Sequence, residues 1–404
     1  MRNSEQIVKD LISKNEKAAQ EAAFELVNNT DVEAFRLLVE KSDYLFDFVK
    51  DNVAKRLQKA ITPQNYRNIF YFLSEYSPDY DEILVSILAK YADEDLTDTL
   101  YDLLLNGDDN QKTYAAKYFS YIPDTIAAEI LEELACSDNE SLAYNSAQAL
   151  AAMGNKDIYK KFIDKLSSKD EFEQLKAVKF CIAYGDKSAF EHIYNAMLDS
   201  AMTENIAAEI PYLVPLNELL NSPNKEKGLV VLSEILAAIP EIVPLSVIVD
   251  FQFYEVFEYL IKSPAESGTA VVLLEALSKF KMLNGADEYI YSEDKNTKNE
   301  LCELYNLLDS LSEEFWQEQK SKVADELSKS QAQIIVALEI IKEYNLQEHA
   351  QKVVTLAISS TDTIKAYAVS TLKSLNALSL LNKDDILKTI KDTNIKAIIE
   401  NCYM

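Results

Sequence analysis

The chain has 404 residues but only six glycines and nine prolines. Average usage would give roughly 28 and 20, and so few turn formers exclude an all-β or an α/β fold. The formal net charge is −27, and the four arginines (Arg2, Arg36, Arg56 and Arg67) all lie within the first 67 positions, so a surface built to displace counterions from nucleic-acid phosphates is excluded.

Self-similarity organises the chain from its start. Gly154 and Gly185 stand 31 residues apart, and the same step reaches Thr30, Ile61, Ala92 and Pro123 upstream; Asn345 and Asn376 repeat it near the C-terminus. Four residues before these eight turn positions stand Leu26, Leu57, Leu88, Phe119, Leu150, Cys181, Ile341 and Leu372. Seven and eight before, the residues are small or β-branched with few exceptions, as at Ala22 and Ala23, Ala115 and Ala116, or Ala177 and Val178. Offsets of three and four mark one face of a helix, and small side chains there let a second helix approach closely. Just after the turn come Asp31, Thr62, Asp93, Asp124, Asn155 and Asp186, residue types that cap a helix start; Leu346 and Ala377 break this rule. Eight after the turn stand Leu38, Ile69, Leu100, Leu131, Phe162, Ile193 and Val353. Asp384 fails there, and Leu387 is expected to take its place after a small insertion. Each unit therefore reads as a first helix, a tight turn, a capped second helix and a short link. Neither helix buries its apolar face alone, so successive units stack.

At these residues the chain resembles the HEAT-repeat superfamily, particularly the short bacterial units related to phycobilisome lyases, which read approximately "AAxALGxxGDxxAxxxLxxxLxD". "AVKFCIAYGDKSAFEHIYNAMLD" (Ala177–Asp199) and "SAQALAAMGNKDIYKKFIDKL" (Ser146–Leu166) carry the likeness. It implies an all-α, right-handed α-α superhelix, a HEAT-like solenoid of about ten to twelve helix pairs.

Between residues 201 and 328 the register is lost, and six of the nine prolines lie there: Pro211, Pro215, Pro223, Pro240, Pro244 and Pro264. Proline ends or kinks helices, so shorter and longer helices are expected. The chain then divides into regular repeats over 1–200, irregular helical repeats over 201–328, and regular repeats with a C-terminal cap over 329–404, all in one solenoid. "NGADEYIYSEDKNTKN" (Asn284–Asn299) reads as an exposed loop. "FQFYEVFEYL" (Phe251–Leu260) places Phe253, Val256, Phe257 and Leu260 on one helical face. Its remaining aromatics are either further core or exposed anchors for a partner; Phe251, Tyr254 and Tyr259 are the candidates. In the last thirteen residues Ile395, Ile398, Ile399 and Cys402 form the apolar side of a closing helix.

Chemistry is sparse. The cysteines Cys136, Cys181, Cys302 and Cys402 are far apart and form no CxxC pair, which fits a reducing compartment without structural zinc. His192 and His349 each follow a glutamate, but at different distances from their turns, and read as structural surface residues rather than metal ligands. No phosphate-binding glycine loop is present. No catalytic residue, cofactor or metal site is expected. The most apolar stretch, Leu229–Ile261, is broken by Glu234, Pro240, Glu241, Pro244 and Asp250 and does not reach the length of a membrane span. The expectation is a soluble, cytoplasmic, non-catalytic scaffold whose acidic concave face binds another protein through a basic segment. Two further readings stand beside it: a lyase or lyase-chaperone subunit, implied by the resemblance, and a purely structural assembly element.

Overall fold

A computed structural model describes residues 2–239, 246–262, 266–285 and 295–403. Among them there is no strand. The fold is all-α, and the chain divides into two compact units, Met1–Ala189 and Phe190–Met404.

The first unit follows the repeat. After α1 (Ser4–Leu11) come α2 (Glu16–Asn28) and α3 (Val32–Ser42), then α4 (Asp47–Ala60) and a 3-10 segment (Tyr66–Phe72). Next are α5 (Asp81–Lys90) with α6 (Glu94–Asn106), and α7 (Asp109–Tyr121) with a 3-10 turn (Thr125–Ala127) running into α8 (Ala128–Leu134). The last are α9 (Glu140–Ala152) with α10 (Lys156–Lys165), and α11 (Glu171–Tyr184). First helices pack on first helices, as α2 on α4, α5 on α7, α7 on α9 and α9 on α11. The second helices α6, α8 and α10 each pack on the first helix that follows.

The residues expected to hold this stack are its core. Leu26, Leu57, Leu88, Phe119, Leu150 and Cys181 are all buried, as are Ile341 and Leu372. The small residues seven and eight before the turn are buried too, except that Ala54 is half-buried. Five of the eight turn positions adopt a left-handed backbone: Thr30 (φ +49°), Gly154 (+68°), Gly185 (+79°), Asn345 (+51°) and Asn376 (+54°). That conformation reverses the chain within one residue and is least costly for glycine and asparagine. The residues that follow cap as expected: Asp31 accepts from Ala34 N, Asp93 from Leu96 N, Asp124 from Ile126 N and Asn155 from Ile158 N. Thr62 departs from the pattern. Its own N–H and hydroxyl donate to Asn65 Oδ1, and no α-helix starts there.

The second unit keeps a spine of stacked first helices but varies everything around it. It runs through α12 (Phe190–Asp199), α13 (Thr203–Leu213), α14 (Leu216–Leu220), α15 (Lys225–Ala238), α16 (Ser246–Asp250), α17 (Phe253–Lys262) and α18 (Ser267–Asn284). It continues with α19 (Lys295–Asp309), α20 (Glu313–Glu326), α21 (Gln331–Glu343), α22 (Ala350–Ser359), α23 (Asp362–Ser374), α24 (Lys383–Thr389) and α25 (Thr393–Cys402). The spine is α13, α15, α18, α21, α23 and α25, each packed on the next. Pro211 sits in the last turn of α13 and Pro215 precedes α14, so together they mark the break between these helices. As the lost register implies, α14 and α16 have five residues and α18 has eighteen. Because α18 is packed by α15, α17, α19, α20 and α21, Gly268–Ala276 is buried without interruption. Pro240, Pro244, Pro264 and most of the expected 284–299 loop lie outside the described residues, while Lys295–Asn299 is helical.

Two expectations are corrected. In α24 the buried residue is Ile386, with Leu387 half-buried, because the insertion shifts the inward face by one position. In α25 Ile399 is buried but Ile398 is exposed, since only one side of this helix packs on α23.

Candidate protein-binding surface

The acid excess runs along the whole chain, and one dense stretch of it lies in the first unit. From Asp93 to Glu140 the sequence holds thirteen carboxylates against two lysines, Lys112 and Lys117. The fold sorts them. On α6, Leu96, Leu100 and Leu104 are buried, while Glu94, Asp98 and Asp102, spaced by four, form one exposed face with Leu105. Asp102 accepts from Asn106 Nδ2 at 2.7 Å, and among the described residues Glu94 and Asp98 have no ion-pair partner. Alongside α8, Glu129 and Glu133 are exposed, Glu132 meets Lys161 at 2.6 Å, and Ile126 projects into solvent. The second-helix surface thus combines unneutralised carboxylates with isolated apolar side chains.

The first helices treat charge differently. An acid at or just before the start of one helix meets a base in the middle or second half of the next. Glu16 pairs with Arg56 at 2.6 Å, Asp81 with Lys117 at 2.8 Å, Asp138 with Lys176 at 2.6 Å, and Glu140 with Lys179. The Arg56 side chain is buried and also donates to the Leu11 carbonyl at 2.7 Å. These contacts hold Glu16 and Asp138 below the usual carboxylate range through their bonds to Arg56 and Lys176. Glu82 is lowered by the Tyr121 hydroxyl first and then by Lys117. An exposed pair adds little stability alone, but the ladder neutralises these four acids, whereas on the second helices Asp95 meets Arg67 at 2.6 Å and Glu94, Asp98, Glu129 and Glu133 stay unpaired among the described residues.

Phe251 does not serve as an exposed anchor. It is 8% exposed, with its ring edge-on to Tyr212 at 5.1 Å, so the second unit uses it as core. Tyr254 and Tyr259 are half-buried on α17, whose inward face is Phe253, Val256, Phe257 and Leu260 as expected. His192 is exposed. His349 is instead a core histidine, with Nε2 3.0 Å from the Lys320 carbonyl oxygen. Among the described residues no group of three His, Cys, Asp or Glu side chains is placed to hold a metal ion, and all four cysteines are free thiols. Burial pushes the Cys181 thiol up to about 12, which makes it a poor nucleophile. Among the same residues no helix is long and apolar enough to cross a membrane.

Sequence reasoning missed two features. The α6 acidic face is visible in "EDLTDTLYDLLL" once the four-residue spacing is read. Tyr44, Phe46 and Phe48 stand out only as an aromatic cluster, and their exposure required the fold.

No family model matches the chain, and no curated protein matches it. Solved structures show similarity. One engineered protein is similar over 53% of this chain and 96% of its own, at 17% identity and a TM-score of 0.26. A second engineered protein covers 100% of this chain and 98% of its own, at 16% identity and a TM-score of 0.25. A mutant of Kap121p covers 99% of this chain at 11% identity and a TM-score of 0.27, and this chain spans 53% of its length. Likeness this weak carries no argument; the all-helical stacking rests on the helices and contacts described above.

Proposed function

We propose that the chain is a non-catalytic scaffold of HEAT-like, right-handed helical repeats that holds another protein on its acidic second-helix surface. The observation that carries this reading is the segregation of charge in the first unit. Glu16, Asp81, Asp138 and Glu140, at the starts of first helices, pair with the next repeat's bases, whereas Glu94, Asp98, Glu129 and Glu133 on the second helices remain exposed without ion-pair partners among the described residues. Such a surface steers a basic partner over about one Debye length, roughly 8–10 Å at physiological salt, and Leu105 and Ile126 supply apolar contacts after encounter. In the second unit Tyr254 and Tyr259 are the aromatic candidates for contact. The partner is a protein with a basic segment, and the chemistry needs neither cofactor nor nucleic acid.

The test is affinity capture from native lysate at low and at physiological salt, with the wild-type chain and with Glu94→Gln, Asp98→Asn and Asp102→Asn combined. A basic protein recovered in near-equal amount, lost as salt rises and lost in the neutralised variant, is the expected result. Capture that ignores both salt and the substitutions removes the electrostatic reading.

A further inference from the structure

The turn between α3 and α4 spends three aromatic residues where folding has no use for them. Tyr44 is 87% exposed, Phe46 73% and Phe48 61%. The Phe46 and Phe48 rings stack on each other, with centroids 5.9 Å apart and planes 14° from parallel. Phe46 occupies the N-cap position of α4 and makes no side-chain capping bond. Ser, Thr, Asp or Asn in that place would satisfy a free helix N–H, typically worth about 1 kcal/mol. Local propensity and burial both argue against aromatic rings here, and a position that breaks local rules without a folding gain is where function is sought.

The surroundings define what would cover the rings. Asp43, Asp47 and Asp51 are exposed around them, and the Asp47 side chain is fully in solvent. Lys50 is drawn to Asp79 at 3.2 Å and lies 3.8 Å from Asp47. Stacked π-faces beside carboxylates match a flat, delocalised cation. A guanidinium lays its plane on an aromatic face and donates in-plane to a carboxylate, whereas an ammonium is compact and strongly hydrated. A second copy of this chain fits poorly, because a two-fold contact sets the same three aspartates against each other. An anionic membrane surface is repelled for the same reason.

We propose that Tyr44, Phe46 and Phe48, with Asp43 and Asp47, form a docking patch for an arginine-rich segment of another protein. This rests on the scaffold reading and adds to it a residue preference: the acidic α6 face attracts any cation, while the aromatic turn selects arginine over lysine.

The experiment measures binding of fluorescent nona-arginine and nona-lysine peptides to the full chain by anisotropy. It compares wild type, the Phe46→Ala/Phe48→Ala double variant, and the variant neutralised at Glu94, Asp98 and Asp102. The two rings are exposed, so the double variant keeps its fold, and an unchanged thermal midpoint checks this. The expected result is about a tenfold preference for the arginine peptide in wild type. The double variant loses that preference with lysine-peptide affinity unchanged, and the neutralised variant binds both peptides more weakly with the preference intact. Equal affinities in wild type, or a preference that survives the double variant, overturn the patch and leave the acidic scaffold standing. Failure of both peptides to bind at low salt overturns both readings. Concentration-dependent self-association that the double variant abolishes reassigns the turn to contact between copies of the chain.

Discussion

Both units carry ion pairs between stacked helices, but Asp81 in the first and Glu275 in the second, both buried, are neutralised in opposite ways. In the first, Glu16, Asp138 and Glu140 at the surface and Asp81 in the interior are each met by a base 36 to 40 residues later in the next repeat. In the second, Glu275 on α18 is buried in the stack, and the half-buried Glu234 on α15 adds to its cost of ionisation. Glu275 Oε2 is buried without a hydrogen-bond partner in the structure. The nearest cation, Lys279, donates to the carbonyls of Ala237 and Ile239. A regular stack lays the start of one first helix beside the body of the next, so acid–base pairs recur along it although the positions that pair shift by a few residues from repeat to repeat. At Glu275, where five other helices surround α18, Oε2 finds no hydrogen-bond partner and neutralisation is left to a proton, whereas the buried Glu326 is met by Lys329 at 3.0 Å.

The largest effects probe the feature the units share. Leu150 and Leu372 occupy the same repeat position, one in each unit, and both are fully buried. Leu150→Ala and Leu372→Ala each cost about 2–5 kcal/mol. Hydrogen exchange resolved by residue localises each loss: Leu150→Ala speeds exchange in α7, α9 and α11, and Leu372→Ala in α21, α23 and α25. A loss of protection spread evenly over the whole chain by either variant would break the division into two units.

Next in size is the pH response, which sharpens the contrast in charge. Burial pushes Glu275 up to about 8, and pushes Glu234 up to about 7 with help from Glu204. Below the unfolded carboxyl value of about 4.5, both folded and unfolded chains are protonated and nothing is lost. As pH rises from there towards 8, the unfolded chain ionises first, so the second unit loses stability on the order of a few kcal/mol, and the loss levels off above 8. The first unit runs the other way. Glu16, Glu82 and Asp138 are lowered, so what they contribute is present above the usual carboxylate range and lost as pH falls through it. Protection of α18 amides, corrected for intrinsic exchange, therefore falls between pH 5 and 8, and Glu275→Gln flattens that slope. A slope unchanged by the substitution would show that other groups control the pH response.

Over residues 1–200 and 329–404 the helix pairs, their register and most of the caps could be read from residue spacing, because one 31-residue rule dictates them and each is local; between 201 and 328 that rule gave nothing. The sites were less legible. Periodicity placed Phe253 and Phe257 inward but could not decide Phe251, whose burial depends on Tyr212 from a different helix. "AVVLLEALSKF" shows one acid in an apolar run; only packing by five other helices makes it a buried one. Conversely, "DYLFDF" spaces three aromatic residues by two, which no single helical face accommodates, and only the fold shows that the end of α3 and the start of α4 leave all three exposed.

The smallest effect tests whether the turn conformation itself sets the register. Gly185 and Thr30 hold equivalent positions in the first unit, at φ +79° and +49°. At Gly185 an added Cβ would meet nothing within 4 Å, so Gly185→Ala isolates the conformational penalty of a left-handed residue, about 1 kcal/mol. Thr30 already bears that penalty with a β-branched side chain. Thr30→Gly relieves about 1–2 kcal/mol of it, and glycine's extra freedom in the unfolded chain takes back about 0.5–1 kcal/mol. The Thr30 hydroxyl bond to the Asn29 carbonyl, 2.8 Å and exposed, is replaced by water at little cost. Urea unfolding should therefore show Gly185→Ala destabilised by about 1 kcal/mol and Thr30→Gly stabilised by about 0.5 kcal/mol. Opposite signs at two equivalent positions would establish that the repeat requires the conformation and tolerates the residue. A loss at both would mean that Thr30 holds its turn through side-chain contacts, and that the likeness between the first repeat and the sixth stops at the backbone.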